Sequence, residues 1–146
     1  MLVICVKENS AIFATVIQYI YKYIMVNDLT DGTANKGYRI LVVDDEEDLC
    51  EILKFNLETE GYTVETANSA EEALTLDIAN FNLLLLDVMM GGMSGYSLAK
   101  KLKAAPATAQ IPIIFLTARA SENDTITGLN IGADDYISKP FYIREV

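Results

Sequence analysis

Histidine is absent from all 146 residues, so neither a His-centred catalytic triad nor an imidazole metal site can be assembled within this chain. Cysteine is almost absent: Cys5 and Cys50 stand far apart and form neither a thiolate metal motif nor a dithiol redox pair. That usage fits a reducing compartment, and a cytoplasmic location is expected. Positive charge is scarce too, with 11 Lys and Arg against 21 Asp and Glu and a net charge of −10. The imbalance is local. Lys7, Lys22 and Lys36 offset Glu8, Asp28 and Asp31, so the whole acidic excess lies in residues 38–146. Such a surface repels phosphate backbones and anionic lipid, so direct nucleic-acid or membrane binding is not expected, whereas metal cations and proteins are suitable partners.

Long apolar runs are missing as well. The stretch from Ala11 to Val26 is broken by Gln18 and Lys22 and falls short of the roughly 18 residues that a membrane span requires. Lys7 and Glu8 separate two apolar patches and no small-residue cleavage pattern follows, which argues against a secretory leader. Ile12, Phe13, Val16, Ile17, Ile20 and Ile24 share one helical stripe. Residues 1–24 read as an upstream extension with Met25 as the natural start, although the stripe could instead cover a face of the domain that follows. Asn27 to Gly37 is polar, contains two glycines and reads as a linker. The expected organisation is therefore an extension and linker over 1–37 and one globular domain over 38–146. Gly91, Gly92 and Gly95 do not follow the first strand as a dinucleotide loop would, and no Gly-Lys-Ser/Thr phosphate loop occurs.

What is present alternates between two periodicities. Arg39–Val43 is a β-branched-rich run ending in acids, and a helix follows with Leu49, Ile52, Leu53 and Leu57 on one face and Gly61 as its stop. Tyr62 to Thr66 alternates as a strand. Ser69 and Glu72 form a capping box for a second helix extending to about Ile78. Asn82 to Asp87 holds four consecutive leucines and reads as a strand buried on both faces. A third helix is expected over Gly95 to Ala104, a fourth strand over Ile111 to Leu116, a fourth helix over Glu122 to Ile131 and a fifth strand over Asp135 to Ser138. This order predicts an α/β fold with a doubly wound, five-stranded parallel sheet. Ligands of such sheets bind outside the carboxyl ends of the strands, near a topological switch point.

Polar groups gather at that edge. Asp44 and Asp45 end the first strand, Asp87 the third and Thr117 the fourth, and Lys139 follows the fifth. Three carboxylates on a poorly solvated edge repel one another, and Mg2+, with oxygen ligands and retained waters, would neutralise them. Thr117 and Lys139 add a hydroxyl and a positive charge, which suits a tetrahedral anion attached at Asp87. Each element also has a plainer meaning. The acids of Asp44–Asp48 could be a solvated helix start, Asp87 a strand terminator, and Lys139-Pro140 an ordinary turn. Their co-occurrence in this order favours the chemical reading.

These residues carry a resemblance. From about Gly37 to Val146 the chain resembles the receiver domain of two-component response regulators. The resemblance rests on Ile40-Leu41-Val42-Val43-Asp44-Asp45-Glu46, Leu85-Leu86-Asp87-Val88-Met89-Met90, Phe115-Leu116-Thr117-Ala118-Arg119 and Gly132-Ala133-Asp134-Asp135-Tyr136-Ile137-Ser138-Lys139-Pro140-Phe141. It implies a flavodoxin-like fold with Asp87 as phosphoacceptor, and a Mg2+ pocket of Asp44, Asp45, Asp87 and the Met89 backbone carbonyl. It further implies Thr117 and Lys139 as ligands of the phosphoryl oxygens, Tyr136 as the switch aromatic, and a cis peptide at Lys139-Pro140. A histidine kinase is the implied partner, and a homodimer through the fourth-helix and fifth-strand face is possible within the family. Met89 and Arg119 would flank the path of an attacking water. The protein would be a signalling domain that assists its own phosphorylation and dephosphorylation, not an enzyme acting on a separate substrate.

Two departures from the family pattern stand out. Gly91 replaces the proline common after Met90, and the chain stops before the family's fifth helix, so a truncated last helix is expected. A phosphatase of the haloacid-dehalogenase type would need an acid two residues after its nucleophile, where Met89 stands. A docking module that takes no phosphate is the other rival. The segments look most like receivers joined to winged-helix DNA-binding domains, although hybrid kinases carry similar ones.

Overall fold

The computed structural model describes residues 37–117 and 135–138, with Thr117 and the last strand described by backbone alone. In chain order the elements are β1 Arg39–Val43, α1 Glu47–Thr59, β2 Thr63–Ala67, α2 Ala70–Ala73, a 3-10 turn at Ile78–Asn80, β3 Leu83–Asp87, α3 Gly95–Ala104, β4 Ile113–Thr117 and β5 Asp135–Ser138. All five strands form one sheet in the order β2-β1-β3-β4-β5, and every neighbouring pair is parallel. The expected fold class is observed.

Burial follows the two-residue period of the strands. Ile40, Val42, Leu83, Leu85, Ile114 and Leu116 join a core that includes Leu49, Leu53 and Leu57 of α1. On the opposite face Leu41, Val43, Leu84, Leu86, Ile113 and Phe115 pack with Ala70 and Ala73 of α2 and with Leu98, Ala99 and Leu102 of α3. β3 is buried along its whole length, which accounts for its run of leucines. Tyr96 of α3 meets Phe115 of β4 edge-on, with ring centroids 4.9 Å apart.

The helix ends are fixed by local chemistry. At the end of α1, Gly61 donates to Glu58 and Tyr62 donates to Leu57, a Schellman closure. It requires a left-handed residue, and Gly61 supplies φ +101°. At the start of α3, the Ser94 hydroxyl accepts the Ser97 amide at 3.1 Å.

The second helix is shorter than expected from the sequence. It was expected to reach about Ile78 but ends at Ala73, and a separate 3-10 turn holds Ile78. The amides of Thr75 and Leu76 bond three residues back, to Glu72 and Ala73, while the Thr75 hydroxyl donates to the Glu72 carbonyl at 2.6 Å. That hydroxyl competes for the backbone acceptor, and the turn tightens instead of propagating. Strand limits shift by one or two residues, to Thr63–Ala67, Leu83–Asp87 and Ile113–Thr117. The expected fourth helix, the truncated fifth helix, the cis Lys139-Pro140 bond and the amino-terminal extension lie outside the described residues. Among the described residues no helix is long and apolar enough to cross a membrane.

Leu53 is fully buried between α1 and the sheet. Leu53→Ala is expected to cost about 2–5 kcal/mol through lost transfer energy and a residual cavity. Urea denaturation should show this as a lower midpoint at unchanged slope; an unchanged midpoint would contradict the packing described.

Candidate functional site

The chain runs from β1 outward to β2 and then crosses back over β1 to β3, so its winding reverses between β1 and β3. This switch point leaves a crevice at the carboxyl edge. Strand register decides what stands beside it. Val43 pairs with Leu86, so Asp44 and Asp87, the next residue of each chain segment, emerge side by side. Carboxylate oxygens of Asp44, Asp45 and Asp87 all lie within 4.8 Å of one another.

Two of the three acids are almost wholly withdrawn from solvent: Asp44 is 0% exposed and Asp87 3%, whereas Asp45 is exposed. This separates the two meanings of the acidic run. Glu46, Glu47 and Asp48 are exposed, with Glu47 and Asp48 in the first turn of α1, as a solvated helix start requires. Asp44 is not part of that solvated surface. Charges about 5 Å apart at an effective dielectric near 20 repel by roughly 3 kcal/mol per pair, so gathering three carboxylates here calls for a compensating cation. The donor set is all hard oxygen, with two buried arms and one open to water, and it fits a divalent cation that keeps part of its hydration shell.

Each buried acid is oriented by its own loop. Asp44 Oδ1 accepts the Glu46 amide at 2.9 Å, and Asp87 Oδ1 accepts the Met89 amide at 3.3 Å. Both are side-chain turns that start a loop and aim the carboxylate back along the strand end. The plainer reading of Asp87 as a strand terminator therefore holds locally, but it does not explain why Asp87 is buried beside two other acids.

Residues outside the predicted set support the cluster. Asn68 Nδ2 donates to the Asp44 carbonyl at 3.2 Å, and the buried Cys50 thiol donates to the same oxygen at 3.3 Å. Gly95 opens α3 directly against the acceptor strand. A β-carbon placed there would sit 2.0 Å from the Asp87 carbonyl oxygen, so only hydrogen fits. Asn68 carried one usable signal, since it is the polar residue that leaves β2 at the carboxyl edge. Cys50 and Gly95 carried none, because their roles depend on which backbone lies opposite.

The other predicted residues are placed in part. Thr117 ends β4 and pairs with Ser138 of β5, while Tyr136 pairs with Phe115, so both occupy strands of this sheet. Met89 follows Asp87 on the loop and is 58% exposed. Lys139 and Arg119 lie outside the described residues.

A parallel sheet with an acidic cluster at its switch point defines an α/β module with a candidate cation pocket, and the comparisons with known proteins say to which family it belongs. Residues 40–146 match the response regulator receiver domain model. The response regulator SaeR of Staphylococcus epidermidis is 46% identical over 107 residues, covering 73% of this chain and 46% of that protein. SaeR of Staphylococcus aureus is 43% identical over the same length. Among solved structures, the non-phosphorylated HemR receiver domain of Leptospira biflexa aligns with a TM-score of 0.66 at 38% identity, covering 74% of this chain and 86% of that one. The response regulator TrrA of Thermotoga maritima, solved in complex with Mg2+-BeF, aligns at 0.62 with 38% identity, covering 74% and 91%. The chain belongs to the response regulator receiver domain family. It spans less than half the length of the SaeR proteins it matches.

Gly95→Ala is expected to destabilise the domain by about 1–3 kcal/mol, toward the upper end because the contact is with backbone. Thermal or urea unfolding tests this, and wild-type stability in the variant would mean that α3 does not ride on Asp87 as described.

Proposed function

We propose that the domain of residues 38–146 accepts a phosphoryl group on Asp87 from the phosphohistidine of a histidine kinase. The observation that carries this reading is the gathering of Asp44, Asp45 and Asp87 within 4.8 Å at the switch point, with Asp87 and Asp44 buried. In the proposed step an Asp87 carboxylate oxygen attacks phosphorus, the P–N bond to the donor imidazole breaks, and its electron pair stays on that nitrogen. The product is an acyl phosphate. Asp44, Asp45, Asp87 and the Met89 backbone carbonyl would hold Mg2+. When bound, the ion supplies charge neutralisation for the transferring oxygens.

Lys139 and the Thr117 hydroxyl are the proposed partners of the remaining phosphoryl oxygens. Drawing Thr117 toward the phosphoryl group would leave room for Tyr136 to turn inward. The new charge then shifts the population between two packings of the fourth-helix and fifth-strand face, the surface on which a homodimer or an output domain would be selected. A cytoplasmic signalling role with transcriptional output through a winged-helix domain is proposed for the full-length protein, from the likeness of its motifs to receivers joined to such domains; the SaeR relatives are named as response regulators. By this reading the domain promotes reactions of its own aspartate and does not turn over a separate substrate.

Incubation with acetyl phosphate in the presence of Mg2+ is expected to add one phosphoryl group by intact mass, and neither Mg2+ omission nor Asp87→Ala should allow it. No gain in a chain shown to be folded would favour a phosphate-independent docking module. Met89 is exposed and stands two residues after Asp87, and its amide donates to Asp87 Oδ1. Met89→Ala, and likewise Arg119→Ala, is expected to change the lifetime of the phosphorylated state several-fold, read as decay of the phosphorylated mass; equal decay rates would rule out a role at the water path.

A further inference from the structure

The loop after β2 supplies no acid to the cluster, yet it touches both loops that do. Its geometry is fixed by a capping arrangement around α2. The Ser69 hydroxyl accepts the Glu72 amide at 2.9 Å, and Glu72 Oε1 accepts the Asn68 amide at 2.7 Å. Ala70 and Ala73, fully buried, fasten the same turn to the core. From this base Asn68 reaches the Asp44 carbonyl. Glu71 reaches the other way, its Oε2 accepting the Met93 amide at 3.0 Å.

Met93 lies on the segment that joins Asp87 to α3. That segment is pinned at its far end, where the Gly95 amide donates to Val88 at 3.0 Å, and the Met90 and Met93 side chains pack against the core. Between these points stand Gly91 and Gly92. Gly91 has open space where a side chain would be, and Gly92 has φ +76°, so neither residue limits the backbone by its own bulk. The Glu71 carboxylate closes over this weak point: a β-carbon on Gly92 would come within 2.9 Å of Glu71 Oε2.

We propose that Glu71 is a positioning residue for the metal site, its carboxylate latching the Met93 amide so that the diglycine loop presents Met89 beside the acidic cluster in one conformation. The inference rests on the metal-holding reading of that cluster. It gives a role to an acid that otherwise looks like part of a solvated face. The Met93 amide, aided by the amide of Glu71 itself, also holds the Glu71 carboxyl below its ordinary range, as expected for an acceptor of backbone N–H groups. Groups that orient metal ligands without touching the metal commonly govern affinity by 10–100-fold.

The test uses the full chain and Mg2+ alone, by titration calorimetry, together with hydrogen exchange at the Met93 amide. Glu71→Ala is expected to weaken Mg2+ binding roughly tenfold and to expose the Met93 amide, at nearly unchanged melting temperature. Glu71→Gln keeps an acceptor oxygen without the charge and should restore most of the affinity and protection. Equal affinity in wild type and Glu71→Ala overturns the latch, as does a Glu71→Gln variant as weak as Glu71→Ala, which would reduce Glu71 to a distant negative charge. An unprotected Met93 amide in the wild type also overturns it. If the wild type itself takes up no Mg2+, the metal reading fails first.

Discussion

The parallel pairing of β1 with β3 is the constraint on which everything else depends. Two segments more than forty residues apart in the chain are held in a register that sets Val43 opposite Leu86, and the acids that follow leave the sheet together. The hydrogen-bonded ladder and two apolar faces lock that register, because a slip of one residue would draw polar Asn82 or Asp87 into a ladder position that leucine fills between two apolar cores. The core thus holds together charges that would separate if left to themselves. A cation that binds only the assembled cluster would add its binding free energy to the folded state, so folding and cation binding would be linked.

Around that cluster the work is divided. The strands place the acids, the turns that Asp44 and Asp87 make with the amides of Glu46 and Met89 aim them, and the loop after β2 braces the two loops that flank it. Few of these contacts are between charged side chains. Backbone amides and carbonyls provide most of the orientation, and many of them belong to segments that the sheet and the helix starts already fix, so little further ordering is needed.

Much of this was legible in the sequence because it lies in local pattern. Leu83 to Leu86 could only be a strand buried on both faces, and acids at the ends of two such strands had to share one edge. The capping box at Ser69 and Glu72 formed as read, while the length of the helix it starts did not. Ala70, Leu74 and Ile78 stand four apart, as on one helical face, whether or not the helix continues, and the Thr75 hydroxyl ends it through a bond that this spacing does not register. Asn68, Cys50 and Glu71 were overlooked for a different reason. Each acts on backbone from another segment, and which backbone that is follows from the pairing of β1 with β2 and from the path of the diglycine loop.

The contact of Gly95 with the Asp87 carbonyl sets the terms on which α3 sits. Two stretches of backbone meet there without an intervening side chain. Side chains absorb small displacements by changing rotamer, and bare backbone has no such give. A shift of a few tenths of an ångström at the end of β3 is therefore passed to the first turn of α3 undiminished, as through a rigid hinge pin. The position of α3 is thereby tied to the end of β3, on the side of the sheet that carries α2 and α3.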